Sequence, residues 1–210
     1  MTHILIVGSA PVALEDLRRF CIGTDLLICA DGGAEVVAQA GLTPALLVGD
    51  MDSISATTQA HFTAHGVQVI EHPREKDQTD MELALNLALH YAPKRITITG
   101  ALGGRLDHTL GNIMILALPA LQEIDVRIVD AGAEALAIWS QRSLRGRIGD
   151  YVSLLPLTPL VEGIHTAGLL YALHGEALTQ GYTRGVSNEL IAEEATIRIE
   201  SGCLLLIHEW

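Results

Sequence analysis

The sequence predicts an α/β protein: an N-terminal open, mainly parallel sheet flanked by helices, then a smaller antiparallel β-sandwich. Three observations carry this. Short β-branched runs alternate with longer helical patterns through residues 1–132, the signature of βαβ units. The strand runs are almost continuously apolar, as expected where helices cover both sheet faces. After about Ala131 the texture changes, with Gly and Pro punctuating short runs and no convincing helix beyond Leu144.

In order, strands are expected at Ile4–Val7, Leu26–Ala30, Ala45–Val48, Val67–Ile70, Arg95–Thr99 and Val126–Val129. Helices are expected between them, near Val12–Cys21, Ala34–Ala40, Ala56–His65, Asp80–Tyr91 and His108–Leu118. Residues 133–210 read as the β-sandwich domain. There Tyr151–Leu155, Thr196–Glu200 and Leu204–Ile207 form short strand-like runs, and Ala195–Glu200 alternates as a half-buried strand does.

The chain has 210 residues, 49% hydrophobic and 18% charged, with few aromatics, which is an ordinary globular profile. A formal net charge of −12 argues against a general nucleic-acid binder, which needs a basic surface. It is compatible with a nucleotide substrate if magnesium supplies positive charge. No apolar stretch approaches the roughly 18 residues of a membrane helix, and the start lacks a signal-peptide pattern. Cys21, Cys29 and Cys203 are scattered and odd in number, against a disulfide framework or zinc site. A cytoplasmic protein is expected.

Ligands of open parallel sheets bind beyond the carboxyl ends of the strands. Strand one ends at Gly8-Ser9, strand two at Ala30-Asp31-Gly32-Gly33 and strand three at Gly49-Asp50-Met51-Asp52-Ser53. Strand four leads into Lys76-Asp77-Gln78-Thr79-Asp80, and strand five into Gly103-Gly104-Arg105-Leu106-Asp107-His108. If the third segment stays extended, Asp50 and Asp52 point the same way, since side chains alternate with period two. Such a pair suits Mg²⁺, which takes one or two carboxylates plus water and phosphate oxygens. It equally suits a solvated turn in which Asp50 or Ser53 caps the next helix.

Thr79-Asp80-Met81-Glu82 fits a capping box, with Thr79 as N-cap and Glu82 reaching back. Asp80 then falls in the first helical turn, where the helix dipole is expected to lower its pKa; it reads as a ligand or as a dipole-favoured surface acid. Lys76 is a candidate phosphate contact or a solvated loop lysine. Gly103 and Gly104 allow close backbone approach, and the Arg105 fork suits phosphate oxygens. Asp107 reads as an N-cap, or as a residue orienting Arg105 or His108. Asn112, one helical turn after His108, is placed to face the same cleft. The chain has no P-loop, no dinucleotide-binding glycine motif after the first strand and no nucleophile elbow. A phosphate-transfer site of carboxylate-held metal, Arg and Gly remains.

Ala30-Asp-Gly-Gly33, Gly49-Asp-x-Asp-Ser53, Lys76-Asp-x-Thr-Asp80 and Gly103-Gly-Arg-x-Asp-His108 with Asn112 resemble, in order and spacing, signature segments of bacterial thiamine pyrophosphokinases. Gly168-Leu-x-Tyr171, Gly185-Val-Ser-Asn-Glu189 and Gly202-x-Leu-Leu-Leu-Ile207 extend the resemblance along the chain. It implies pyrophosphoryl transfer from ATP to the hydroxyl of thiamine. It also implies a homodimer whose active sites join the N-terminal domain of one subunit to the C-terminal domain of the other. By resemblance, Asp50, Asp52 and Asp80 form the magnesium cluster with Asp31 beside it. Lys76, Asp77, Thr79, Gly104, Arg105, Asp107, His108 and Asn112 serve ATP, and Ser187 and Asn188 serve thiamine. Catalysis falls to Asp31, Asp50, Asp52, Asp80 and Arg105, with Asp31 or a metal aspartate as proton acceptor. Ala172 departs from the residue expected after Tyr171. A related diphosphokinase acting on a pterin alcohol, a silent nucleotide- or thiamine-binding module and a purely structural α/β protein are the competing readings.

Overall fold

A computed structural model describes residues 2–130 and 132–210; Ala131, where the change of texture was expected, lies outside the described residues. The chain divides into two compact units, Met1–Ile115 with Glu123–Ala131, and Leu116–Gln122 with Gly132–Trp210.

In the first unit, β1 (His3–Val7), β2 (Leu26–Ala30), β3 (Leu46–Gly49), β4 (Gln68–Glu71), β5 (Arg95–Thr99) and β6 (Asp125–Asp130) form a parallel sheet. The strand order is β6-β5-β1-β2-β3-β4. The helices α1 (Leu14–Phe20), α2 (Gly33–Gln39), α3 (Ala56–Ala64), α4 (Asp80–Leu89) and α5 (Leu106–Met114) follow the first five strands in turn. Leu5, Val7, Cys29 and Leu47 pack with Leu17, Val37 and Phe62 of α1, α2 and α3. Alternation puts Ile4, Ile6 and Ile28 on the opposite sheet face. There α4 buries Met81, Ala84, Leu85 and Ala88, an apolar stripe at helical spacing.

Strands β2 and β5 have the bounds their apolar runs predict. The last helix differs: it starts at Leu106 rather than His108 and stops at Met114, giving way to 3-10 turns at Ile115–Ala117 and Pro119–Leu121. Pro119 lacks an N–H and holds Leu118 extended at ψ 127°, so no α-helix can run through Leu118.

The second unit has two antiparallel sheets. One runs β12 (Asn188–Glu189), β9 (Tyr151–Pro156), β14 (Leu204–Glu209), β7 (Ala133–Ile138). The other runs β11 (His174–Thr179), β10 (Leu160–Ala167), β13 (Glu194–Arg198), β8 (Gln141–Arg145). Leu136, Val152 and Leu206 of the first sheet share one core with Val161, Ile164 and Ile197 of the second. This is the expected sandwich. Among the described residues no helix is long and apolar enough to cross a membrane.

Candidate active site

The carboxyl ends of the parallel strands of the first unit enclose a cleft of about 550 Å³. Asp31, Asp50, Asp52, Lys76, Thr79, Asp80, Gly104, Arg105, His108 and Asn112 all line it. Two residues expected there do not: Asp77 is an exposed loop residue, and Asp107 points its carboxylate at Arg105.

The tightest cluster is Asp31, Asp50 and Asp52, with one carboxylate oxygen from each lying within 4.8 Å of the others. The convergence of Asp50 and Asp52 does not come from strand alternation. Met51 has φ +63°, so the chain turns directly after β3, and the Asp52 N–H donates to Asp50 Oδ1 at 3.2 Å. The Ser53 hydroxyl donates to Asp52 Oδ1 at 3.0 Å. The cap of α3 is Ser55, not Asp50 or Ser53: its side chain accepts the Thr58 N–H. Asp50 is therefore free of capping duty.

Gly49 makes room for the cluster. A Cβ there would stand 2.8 Å from Asp31 Cβ and 3.2 Å from Asp80 Cγ, and its φ of +149° is one that side-chain-bearing residues rarely adopt. Asp31 is 7% exposed, and its Oδ1 is buried with no hydrogen-bond partner. Burying a polar oxygen without a partner is costly. A cation here would supply the missing interaction, and the all-oxygen donor set is that of a hard divalent ion such as Mg²⁺.

Lys76 joins the cluster to α4, with Nζ 3.4 Å from Asp50 Oδ2 and 3.0 Å from Asp80 Oδ1. Burial alone would lower the Lys76 pKa, but Asp80 and then Asp50 carry it above its usual value. Burial works on Asp50 in the opposite sense and is outweighed by the Asp52 N–H and Lys76, so its carboxyl lies below the usual range. Asp80 contradicts the expectation of a lowered pKa. Burial raises it, Lys76 opposes this, and the charges of Asp31 and Asp50 push it further up. Burial foremost, with the neighbouring like charges adding to it, outweighs the dipole of one helix end. Thr79 does cap α4, accepting the Glu82 N–H at 3.2 Å, but Glu82 does not reach back; it accepts from Gln78 Nε2 at 2.8 Å.

Across the cleft, Gly103 and Gly104 have φ of +80° and +77°, and nothing lies within 4 Å of a Cβ built on either. Their backbone is open to a ligand. Arg105, not Asp107, occupies the N-cap position of α5. The two form a forked pair, Nε to Oδ1 at 3.1 Å and Nη2 to Oδ2 at 2.6 Å. The guanidinium holds the Asp107 carboxyl down to about 2. Asn112 is buried and donates to the Ala101 carbonyl at 2.9 Å, fixing the glycine loop to α5. Sequence reasoning missed Arg74, which lines the cleft and reaches Asp52 Oδ2 at 3.4 Å. Its place two residues before Lys76 in the same loop was the available signal.

In the second unit, Ser187 is exposed with φ +60°, and its N–H donates to Ser153 Oγ at 3.1 Å. Asn188 is buried. Its Oδ1 accepts the N–H groups of Tyr171 and Glu189, both at 2.9 Å, and Nδ2 donates to the Tyr171 carbonyl at 2.8 Å. Its amide is engaged mainly in holding the segment around Tyr171.

The family model described as thiamin pyrophosphokinase, catalytic domain, matches residues 17–137. The model for the thiamin pyrophosphokinase vitamin B1 binding domain matches residues 141–204. Thiamine pyrophosphokinase of Bacillus subtilis (strain 168) is 31% identical over 210 residues, covering 99% of this chain and 98% of its own. The crystal structure of the Bacillus subtilis thiamine pyrophosphokinase superposes with a TM-score of 0.86 at 29% identity, covering 99% of each chain. That of the Geobacillus thermodenitrificans thiamin pyrophosphokinase gives 0.86 at 29% identity, covering 100% of this chain and 98% of its own.

Proposed function

The chain belongs to the thiamin pyrophosphokinase family and is an enzyme that transfers the pyrophosphoryl group of ATP to the hydroxyl of thiamine; we propose that the transfer takes place in the cleft at the carboxyl edge of the parallel sheet. The observation that supports this placement is the convergence of Asp31, Asp50 and Asp52, with Asp31 Oδ1 buried and without a partner. Asp31, Asp50, Asp52 and Asp80 are the residues that would hold magnesium. Bound there, the ion would neutralise charge on the phosphate oxygens.

The chain's own groups do the rest by position. Lys76 and Arg105 offer cations to the phosphates, and the open backbone at Gly104 lets phosphate oxygens approach the N–H groups. Thr79, His108 and Asn112 shape the nucleotide side of the cleft. The thiamine hydroxyl oxygen bonds to the β-phosphorus, the bond from that phosphorus to the α–β bridging oxygen breaks, and AMP leaves. A carboxylate of the aspartate cluster accepts the hydroxyl proton. Such a transfer asks the protein mainly for alignment and charge stabilisation. Ser187, with Asn188 holding its loop, serves thiamine. Asp77 and Asp107 contribute from outside the cleft wall, Asp107 by orienting Arg105.

The same reading includes a cytoplasmic homodimer in which each active site is completed by the partner subunit. A complementation experiment tests this: Asp52→Ala and Ser187→Trp proteins, inactive alone, regain turnover on mixing if sites are shared. For the reaction itself, purified protein with ATP, thiamine and Mg²⁺ yields AMP and thiamine diphosphate in equal amounts. Failure to form AMP, or turnover with a pterin alcohol in place of thiamine, overturns the reading.

A further inference from the structure

Glu35 does not line the cleft, yet its carboxylate ties together the two loops that carry the clustered aspartates. It lies in the first turn of α2. Its Oε1 accepts the Ser55 backbone N–H at 2.6 Å, and its Oε2 accepts the Thr58 hydroxyl at 2.9 Å. Ser55 is the N-cap of α3, accepting the Thr58 N–H at 3.2 Å and donating its hydroxyl to Thr58 Oγ1 at 3.0 Å. One carboxylate on α2 thus grips the whole start of α3. Asp31 immediately precedes the Gly32 cap of α2, and only Ser53 and Ile54 separate the Asp50–Asp52 turn from the Ser55 cap of α3. The loops also pass close to one another: a Cβ on Gly32 would stand 3.2 Å from Ser53 Cβ and 3.6 Å from the Ser53 carbonyl oxygen.

We propose that Glu35 is a positioning residue for the cluster, setting the distance between Asp31 and the Asp50–Asp52 turn through its bonds to Ser55 and Thr58. The proposal rests on the reading of those aspartates as magnesium ligands. Charge-assisted bonds to a carboxylate are short and directional, so they fix a loop more closely than apolar contact does. The Ser55 N–H, against a smaller effect of burial, holds the Glu35 carboxyl below its usual range and so keeps it ionised. Magnesium tolerates little error in the placement of its oxygens. A residue that sets loop spacing therefore acts on metal affinity before it acts on the stability of the fold.

The test measures Mn²⁺ dissociation constants by electron paramagnetic resonance on the full chain, together with KM for thiamine and the thermal midpoint. Glu35→Ala weakens Mn²⁺ binding about tenfold or more, the effect typical of residues that support metal ligands. It leaves KM for thiamine within about twofold, and Glu35→Gln, which keeps one acceptor, recovers part of the loss. Wild-type Mn²⁺ affinity in Glu35→Ala overturns the proposal. So does a loss of affinity that merely follows the loss of folded protein. If Glu35→Ala does not fold, Thr58→Val carries the test: it removes the Oε2 bond together with the Ser55 hydroxyl's bond to Thr58 Oγ1, leaves the Ser55 N–H on Oε1, and weakens Mn²⁺ binding about threefold; unchanged affinity overturns the proposal. Asp52→Asn separates the two levels. Unchanged Mn²⁺ affinity there removes the metal reading itself, whereas weakened affinity beside an unaffected Glu35→Ala removes only the positioning role.

Discussion

Lys76 Nζ lies 3.0 Å from Asp80 Oδ1, so a half-buried ammonium and a half-buried carboxylate meet where α4 begins. Lys76 also reaches Asp50 at 3.4 Å and so holds charge balance at two strand ends at once. Replacing it with Met keeps the aliphatic stem and removes the charge. Lys76→Met lowers kcat/KM for ATP by about 10²-fold, the scale of losing one charge-stabilising donor. The protein remains folded. Steady-state titration with ATP, alongside a thermal melt, checks both parts.

Asp31 makes a sharper case, because its buried Oδ1 has no hydrogen bond to lose. Asp31→Asn removes a charge set among other carboxylates and sacrifices little in packing. Its thermal midpoint without magnesium equals or exceeds that of the wild type, while the magnesium concentration for half-maximal turnover rises about tenfold or more. Calorimetric melts and a magnesium titration of activity measure the two effects separately.

Gly49 is where backbone conformation and site geometry coincide. A side chain there meets Asp31 and Asp80 at contact distances of 2.8 and 3.2 Å and must adopt an unfavourable φ. Gly49→Ala therefore destabilises the protein by about 2 kcal/mol or more. It also displaces two aspartates. Urea unfolding gives the first quantity, and loss of turnover in the protein that remains folded shows the second.

The second unit supplies a pH prediction away from the chemistry. Asp150 Oδ2 accepts the Arg147 N–H at 2.7 Å and bonds His208 Nε2 at 3.0 Å. The Arg147 N–H first, and His208 after it, hold the Asp150 carboxyl below its usual range despite burial. A depressed folded pKa contributes stability above the unfolded pKa, about 3.9, and loses it as pH falls through the folded value. Asp150→Ala is less stable than wild type by about 1–3 kcal/mol near neutrality, and the difference shrinks below about pH 4. Urea melts at pH 7 and pH 3 measure that change.

The parallel sheet was legible because its strands are apolar runs bounded by turn residues, as at Leu26–Ala30 and Arg95–Thr99. The cleft followed from topology, since residues at neighbouring strand ends must lie near one another. Details depending on backbone turns or long-range bonds were not legible. No local pattern announces the left-handed Met51 that brings Asp50 and Asp52 together. The Glu35–Ser55 bond spans 20 residues, and no single-sequence periodicity encodes it. Asp80 shows the same limit: its helix position was read correctly, but its pKa is raised by burial, against Lys76 and with Asp31 and Asp50 adding to it, and only the folded chain brings these together.

The proposed function has the aspartates at these strand ends carry the reaction. The most direct test is AMP and thiamine diphosphate formation by Asp52→Ala and Asp80→Ala, assayed across magnesium concentrations beside the wild type. Both variants are predicted to stay folded, with kcat reduced by about 10²-fold or more at every magnesium concentration. Near-normal turnover in both would contradict the account.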